Sequence, residues 1–124
     1  MKRLSLLLAC LVASACGHAT PGESGTLAEL RAIGRAAACT SDQQCKTVPL
    51  GAKSCGGPES YMAYSTAKAS VEKVTALAER FRKEREAENQ ASGLASDCRF
   101  MMDPGARCRA GTCQLGGSNG ALAE

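Results

Sequence analysis

The side chains best able to do chemistry in this sequence are its eight cysteines. A thiolate can be a nucleophile, a metal ligand or half of a disulfide, and spacing and company decide which. Cys39 and Cys45 are separated by five residues, Cys45 and Cys55 by nine, Cys108 and Cys113 by four, and no Cys-x-x-Cys occurs. Structural zinc sites want shorter pairs, so neither a metal nor any other cofactor is expected. Redox catalysis by a Cys-x-x-Cys at a helix start is equally absent. A Ser or Cys nucleophile needs a base, most often His. The one histidine, His18, lies in a Gly- and Pro-broken stretch with no fixed geometry. Glu79, Glu84, Glu86 and Glu88 are interleaved with Arg and Lys and read as a solvated face. No catalytic residue is assigned, and the protein is read as a non-enzyme.

The N-terminus gives the cysteines their setting. Met1-Lys2-Arg3, an apolar run from Leu4 to Val12 and the small residues Ala13-Ser14-Ala15 form the three parts of a signal peptide, residues 1–15. The apolar run is shorter than the roughly 20 residues a membrane span requires. Ala13-Ser14-Ala15 fits ordinary signal peptidase, while Ala13-Ser14-Ala15-Cys16 resembles a bacterial lipobox, whose cysteine takes a diacylglyceryl group. Both readings cut before Cys16. Parity favours the second: Cys10 leaves with the signal, and a lipidated Cys16 leaves six cysteines, an even set. Those six, Cys39, Cys45, Cys55, Cys98, Cys108 and Cys113, are expected to pair as disulfides in an oxidising compartment. Three precede the long helix described below and three follow it, so at least one bridge must join the two halves. Gly17 after the lipidated position resembles the form sorted to the outer membrane. The expected place is therefore the bacterial envelope, as an outer-membrane lipoprotein facing periplasm or exterior, or, without the lipid, a secreted or periplasmic protein.

Composition narrows the partners. After loss of Lys2 and Arg3, thirteen basic residues face twelve acidic ones. That balance lacks the basic stripe that neutralises phosphates. Two Phe, two Tyr and no Trp offer almost no platform for stacking bases, so nucleic acid is not an expected partner. Few aromatics also mean a thin core, and thin cores in small domains lean on covalent staples. Membrane contact is expected only through the lipid on Cys16.

The elements that must position the cysteines follow from periodicity. Residues 16–25 read as the lipidated Cys and a flexible tether, 26–115 as the domain, and 116–124 as a disordered tail. Thr26 with Glu29 three residues on suggests a capping box for a short helix over 27–38. Lys46 to Leu50 is β-prone, with Pro49 confining it to an edge or an end. Tyr64, Ala67, Val71, Val74, Ala78 and Phe81 recur at threes and fours and predict a long helix over roughly 65–90, ending near Gly93. Charges entering the stripe after Phe81 predict that the helix end projects into solvent. Cys98 to Met102 is a second β-prone piece closed by an Asp103-Pro104-Gly105 turn. Ala110-Gly111 predicts a tight hairpin setting Cys108 opposite Cys113. The two are then placed either to bridge each other or each to reach the 39–55 segment. The fold class is α+β: a small disulfide-stapled antiparallel sheet, one long helix and a short N-terminal helix.

The run Cys39-x-x-Asp42-x-x-Cys45, then Cys55-Gly56-Gly57-Pro58-x-x-Tyr61-x-x-Tyr64-Ser65, then Ser96-Asp97-Cys98 and Cys108-x4-Cys113, resembles small uncharacterised exported cysteine-rich proteins of Gram-negative bacteria. That resemblance implies export and disulfides and carries no activity. Within the run, a Gly-Gly-Pro loop held by a disulfide would present Lys53, Tyr61 and Tyr64 to a partner, and Arg82 to Glu88 is a second candidate contact surface. The expected function is a lipid-anchored envelope protein presenting a rigid disulfide domain to an unknown protein partner. The alternative is a small inhibitor of an extracytoplasmic hydrolase, acting through the 51–61 loop with Lys53 as its reactive residue.

Overall fold

The computed structural model describes residues 23–117. The signal peptide, Cys16, His18, most of the tether and residues 118–124 lie outside them. The first helix, α1, spans Gly25–Arg35. Its N-cap is Ser24, whose hydroxyl accepts a hydrogen bond from the Leu27 N–H (3.2 Å). The helix thus starts and ends earlier than the capping-box reading expects. Thr26 is buried instead, and its hydroxyl is used elsewhere. Gly34 allows α1 to lie close on its neighbour, since a Cβ there would meet Met62 Sδ at 2.9 Å.

Strands β1 (Cys45–Leu50) and β2 (Ser60–Ser65) form an antiparallel pair, with Cys45 opposite Ser65 and Leu50 opposite Ser60. Strand side chains alternate between faces, and here both faces are covered. Val48, Leu50 and Tyr64 point to one cluster with Leu30, Val74, Leu77, Ala78 and Phe81. Cys45 and Ala63 point to a second cluster with Ala37, Cys39 and Cys113. The hairpin is the wall between two small cores.

The second helix, α2, spans Val71–Ser92, capped by the Ser70 hydroxyl and closed by left-handed Gly93. Tyr64 and Ala67 therefore do not open the long helix. Tyr64 lies on β2, and the turn through Thr66–Lys68 separates strand from helix. The stripe spacing carries on into β2 because Tyr64 faces the same cluster from the opposite side. The far end of α2 also differs from expectation. Rather than projecting freely, it is held by Arg85 Nε donating to Glu59 (2.9 Å) and Asn89 Nδ2 donating to the Ala52 carbonyl (2.7 Å). Polar clamps replace the apolar stripe there.

The pair β3 (Ala106–Arg109) and β4 (Thr112–Leu115) turns at Ala110 and Gly111, both with positive φ, and places Cys108 opposite Cys113 as expected. Residues 37–39 lie along β4, with the Cys113 N–H donating to the Ala37 carbonyl. Each facing cysteine reaches across to the first half of the domain, Cys39 to Cys108 and Cys45 to Cys113. The α+β class and the stapling stand. The single sheet is instead two two-stranded sheets joined through sulfur.

Candidate functional site

Between α2 and β3 the chain runs from Gly93 to Gly105 without regular structure. The β-prone run at Cys98–Met102 pairs with no strand. Side chains of the β1–β2 hairpin and its loop take its carbonyls instead. Lys53 Nζ donates to Asp97 Oδ1 (2.8 Å) and to the Arg99 carbonyl (2.9 Å). The Ser54 N–H donates to Ser96 Oγ (3.0 Å), and Ser54 Oγ to the Leu94 carbonyl (3.0 Å). Tyr61 OH donates to the Met101 carbonyl (3.3 Å), and Thr47 Oγ1 to Asp103 Oδ2 (2.7 Å). The expected Asp103-Pro104-Gly105 turn forms, with the Gly105 N–H donating to Asp103 Oδ1 (2.8 Å).

These anchors bind the backbone of the strip and leave its apolar side chains outward. Leu94 is 73% exposed, Phe100 84% and Met102 76%, whereas the other phenylalanine, Phe81, is 5% exposed. Half the phenylalanine of a chain this poor in aromatics is thus exposed, beside an exposed methionine, and neighbouring exposed apolar groups signal binding more than isolated ones do. Methionine beside it adds a flexible, polarizable contact that adapts to partners. Met101, Met102 and Leu115 line a shallow hollow of about 270 Å³ together with Ser60 and Tyr61.

A larger groove of about 510 Å³ opens between β1, the 51–58 loop and α2. Val48, Pro49, Ala52, Tyr64 and Ala78 line it. Burial pushes the Tyr64 hydroxyl pKa up, with help from the nearby Glu72 charge. At its edge the Arg82 guanidinium is held between Glu79 and Glu86, so that cation is already matched. The Glu79 carboxyl lies below its usual range, first through the hydrogen bond from Arg82. Gly51, at the base of the loop, has φ +73° and abuts the Glu59 carboxylate, which would stand 2.6 Å from an added Cβ. Only glycine meets both demands.

Two further thiols lie where the strip crosses the loop. Cys55 and Cys98 are exposed and unbridged. Cys55 Sγ lies 3.5 Å from the Asp97 carbonyl and 3.7 Å from Ser96 Oγ. The Cys55 pKa is lowered, first by a hydrogen bond from Cys98, then by one from Ser96, with Lys53 adding attraction. The same bond raises the pKa of Cys98.

Of the six cysteines expected to pair, four are bridged and Cys55 and Cys98 are free thiols. The sulfurs of Cys39, Cys45 and Cys108 lie within 4.8 Å of one another, but each is already bonded to another sulfur and offers no thiolate to a metal. The candidate binding residues occupy different roles from those expected. The Lys53 side chain is only 9% exposed and points into the strip, not outward as a reactive residue would. Tyr61 spends its hydroxyl on Met101, and Tyr64 is buried. Lys53 and Tyr61 anchor the strip and present no free polar group from it. The side chains the strip turns outward are Phe100 and Met102, and the sequence reading misses them because a β-prone run suggests a strand. The Asp-Pro-Gly turn that cuts the run short was the available signal. Among the described residues, no helix is long and apolar enough to cross a membrane. Comparison with protein-family models, with curated proteins and with solved structures finds no match.

Proposed function

We propose that this protein is a non-catalytic binding module of the bacterial envelope, exported by its signal peptide, held by lipid on Cys16, and docking a protein partner through the strip Leu94–Met102. The outward presentation of Phe100 and Met102 on a backbone pinned by side-chain hydrogen bonds is the observation that carries this reading. A pinned strip loses little conformational freedom on binding, which favours affinity. Aromatic and methionine side chains are enriched in protein interfaces. The two buried bridges fit an oxidising compartment.

Photo-cross-linking in intact envelopes tests the reading. A photoreactive residue in place of Met102 is expected to give a discrete adduct with one protein, identified by mass spectrometry. The same group in place of Ala76, exposed on α2, is expected to give none. With the purified partner, Phe100→Ala should weaken binding about ten- to a hundredfold, since burying such a ring contributes about 1.5–3 kcal/mol. Equal adducts from both positions, or unchanged affinity in Phe100→Ala, would refute it. The anchor is tested separately: intact mass of envelope material should show acyl groups on an N-terminal Cys16, and an unacylated N-terminus removes the anchor from the proposal.

A further inference from the structure

We propose that Cys55 and Cys98 form a thiol–disulfide exchange site that reacts with disulfides of small thiols, Cys55 attacking and Cys98 resolving. Four features of the strip support it. The two thiols come from segments 43 positions apart, yet the fold sets Cys55 Sγ 3.5 Å from the Asp97 carbonyl and 3.7 Å from Ser96 Oγ, immediately beside Cys98 in the strip. Both are exposed, whereas Cys39, Cys45 and Cys113 are buried. The contacts of Lys53 with Asp97 and Arg99 and of Ser54 with Ser96 and Leu94 hold the loop just before Cys55 against the strip on both sides of Cys98. The two sulfurs also differ in their surroundings, since the Ser96 hydroxyl lies beside Cys55 Sγ (3.7 Å), and the pKa of Cys55 is lowered while that of Cys98 is raised. The better-ionised thiol attacks, since the thiolate is the nucleophile.

The steps balance. The Cys55 thiolate attacks one sulfur of a disulfide RSSR, forming a Cys55–SR bond and expelling RS⁻. Cys98, losing its proton to water, then attacks the Cys55 sulfur and expels the second RS⁻. Two electrons pass from the protein to RSSR, leaving a Cys55–Cys98 bridge and two thiols. An excess of RSH runs both steps backward.

The test uses the full chain in buffers of reduced and oxidised glutathione, quenched by acid and alkylation and read by intact mass and peptide mapping. The expected result is a reversible two-electron transition confined to a Cys55–Cys98 peptide while Cys39–Cys108 and Cys45–Cys113 persist. Cys98→Ser should trap one glutathione on Cys55, and Cys55→Ser should react at Cys98 at least tenfold more slowly. A pair that stays reduced in oxidised glutathione, or that opens only together with the buried bridges, overturns the site. Equal or inverted rates in the two variants overturn the assignment of Cys55 as attacker. Wild-type mapping decides the first question even where a variant folds poorly.

Discussion

The two poles of this domain use the same element in opposite ways. Beneath the hairpin wall, Cys39, Cys45, Cys108 and Cys113 sit among Ala37 and Ala63, where sulfur is both filling and cross-link. Along the strip, Cys55 and Cys98 sit in solvent among Lys53, Ser96 and Asp97, where sulfur contributes chemistry and little packing. Burial makes the difference. A buried bridge is shielded from attacking thiolates and replaces apolar volume, and an exposed pair meets every thiol and disulfide in its compartment. Cysteine count alone therefore distinguishes neither structural from reactive sulfur nor stable from labile.

The contrast is broken or upheld most directly by removing each set. Either buried bridge alone closes a loop of almost seventy residues, spanning 69 or 68 positions. With one in place, the second closes only the ring running from Cys39 to Cys45 and back from Cys113 to Cys108, about a dozen residues. Loop-closure entropy then assigns about 3 kcal/mol to the loss of either bridge singly and about 7 kcal/mol to the loss of both. Losing both consumes much of an ordinary stability of about 5–15 kcal/mol. Urea unfolding without reductant should thus find Cys39→Ser/Cys108→Ser and Cys45→Ser/Cys113→Ser similarly weakened and the fourfold variant largely unfolded. Cys55→Ser/Cys98→Ser, compared with wild type whose pair is reduced, should differ by less than about 0.5 kcal/mol. A comparable loss from the exposed pair would erase the distinction.

The two phenylalanines sharpen the same comparison. Phe81→Ala empties a site between Val74, Ala78 and Tyr64 and should cost about 3–5 kcal/mol in urea unfolding. Phe100→Ala removes a ring that touches mostly water and should change stability by less than about 0.5 kcal/mol while disabling the proposed interface. A Phe100→Ala loss above about 2 kcal/mol would mean that the strip folds inward in solution.

How much of this was legible in the sequence divides along the same line. The α2 stripe from Val74 to Phe81, the Gly93 stop and the Ala110-Gly111 turn were readable because each is a local pattern with one physical solution. The bridging across halves was readable from parity, although the pairing was not, since facing cysteines on a hairpin point the same way. Tyr64 misled because a strand residue packed against a helix continues that helix's spacing. The strip misled for a different reason. Phe100-Met101-Met102 has strand chemistry, but the carbonyls at Arg99 and Met101 are claimed by Lys53 and Tyr61, side chains some forty positions away. No local pattern announces a tertiary hydrogen bond. The Lys53 of the loop looked presented for the same reason.

Acid separates the two regions by a smaller margin. The Glu84 carboxyl lies below its usual range, first because Thr26 Oγ1 donates to it (2.6 Å), with Arg80 nearby (3.5 Å). It also faces the N-terminus of α1, whose own first turn has no acidic residue. A carboxyl depressed in the folded state adds stability above its unfolded value, about pH 4.3 for Glu, and that stability fades as pH falls through the folded value. Glu84→Gln should therefore flatten the acid limb of the melting temperature below about pH 4.5. The exposed Glu79–Arg82 pair adds little to that limb. Asp97 is also depressed, first by Lys53, but it anchors only the strip. Asp97→Asn should leave the melting temperature almost unchanged and speed amide exchange in residues 94–99. If it lowered the melting temperature as much as Glu84→Gln, the strip would belong to the cooperative core, and the contrast between buried and surface sulfur would rest on burial alone without a difference in local stability.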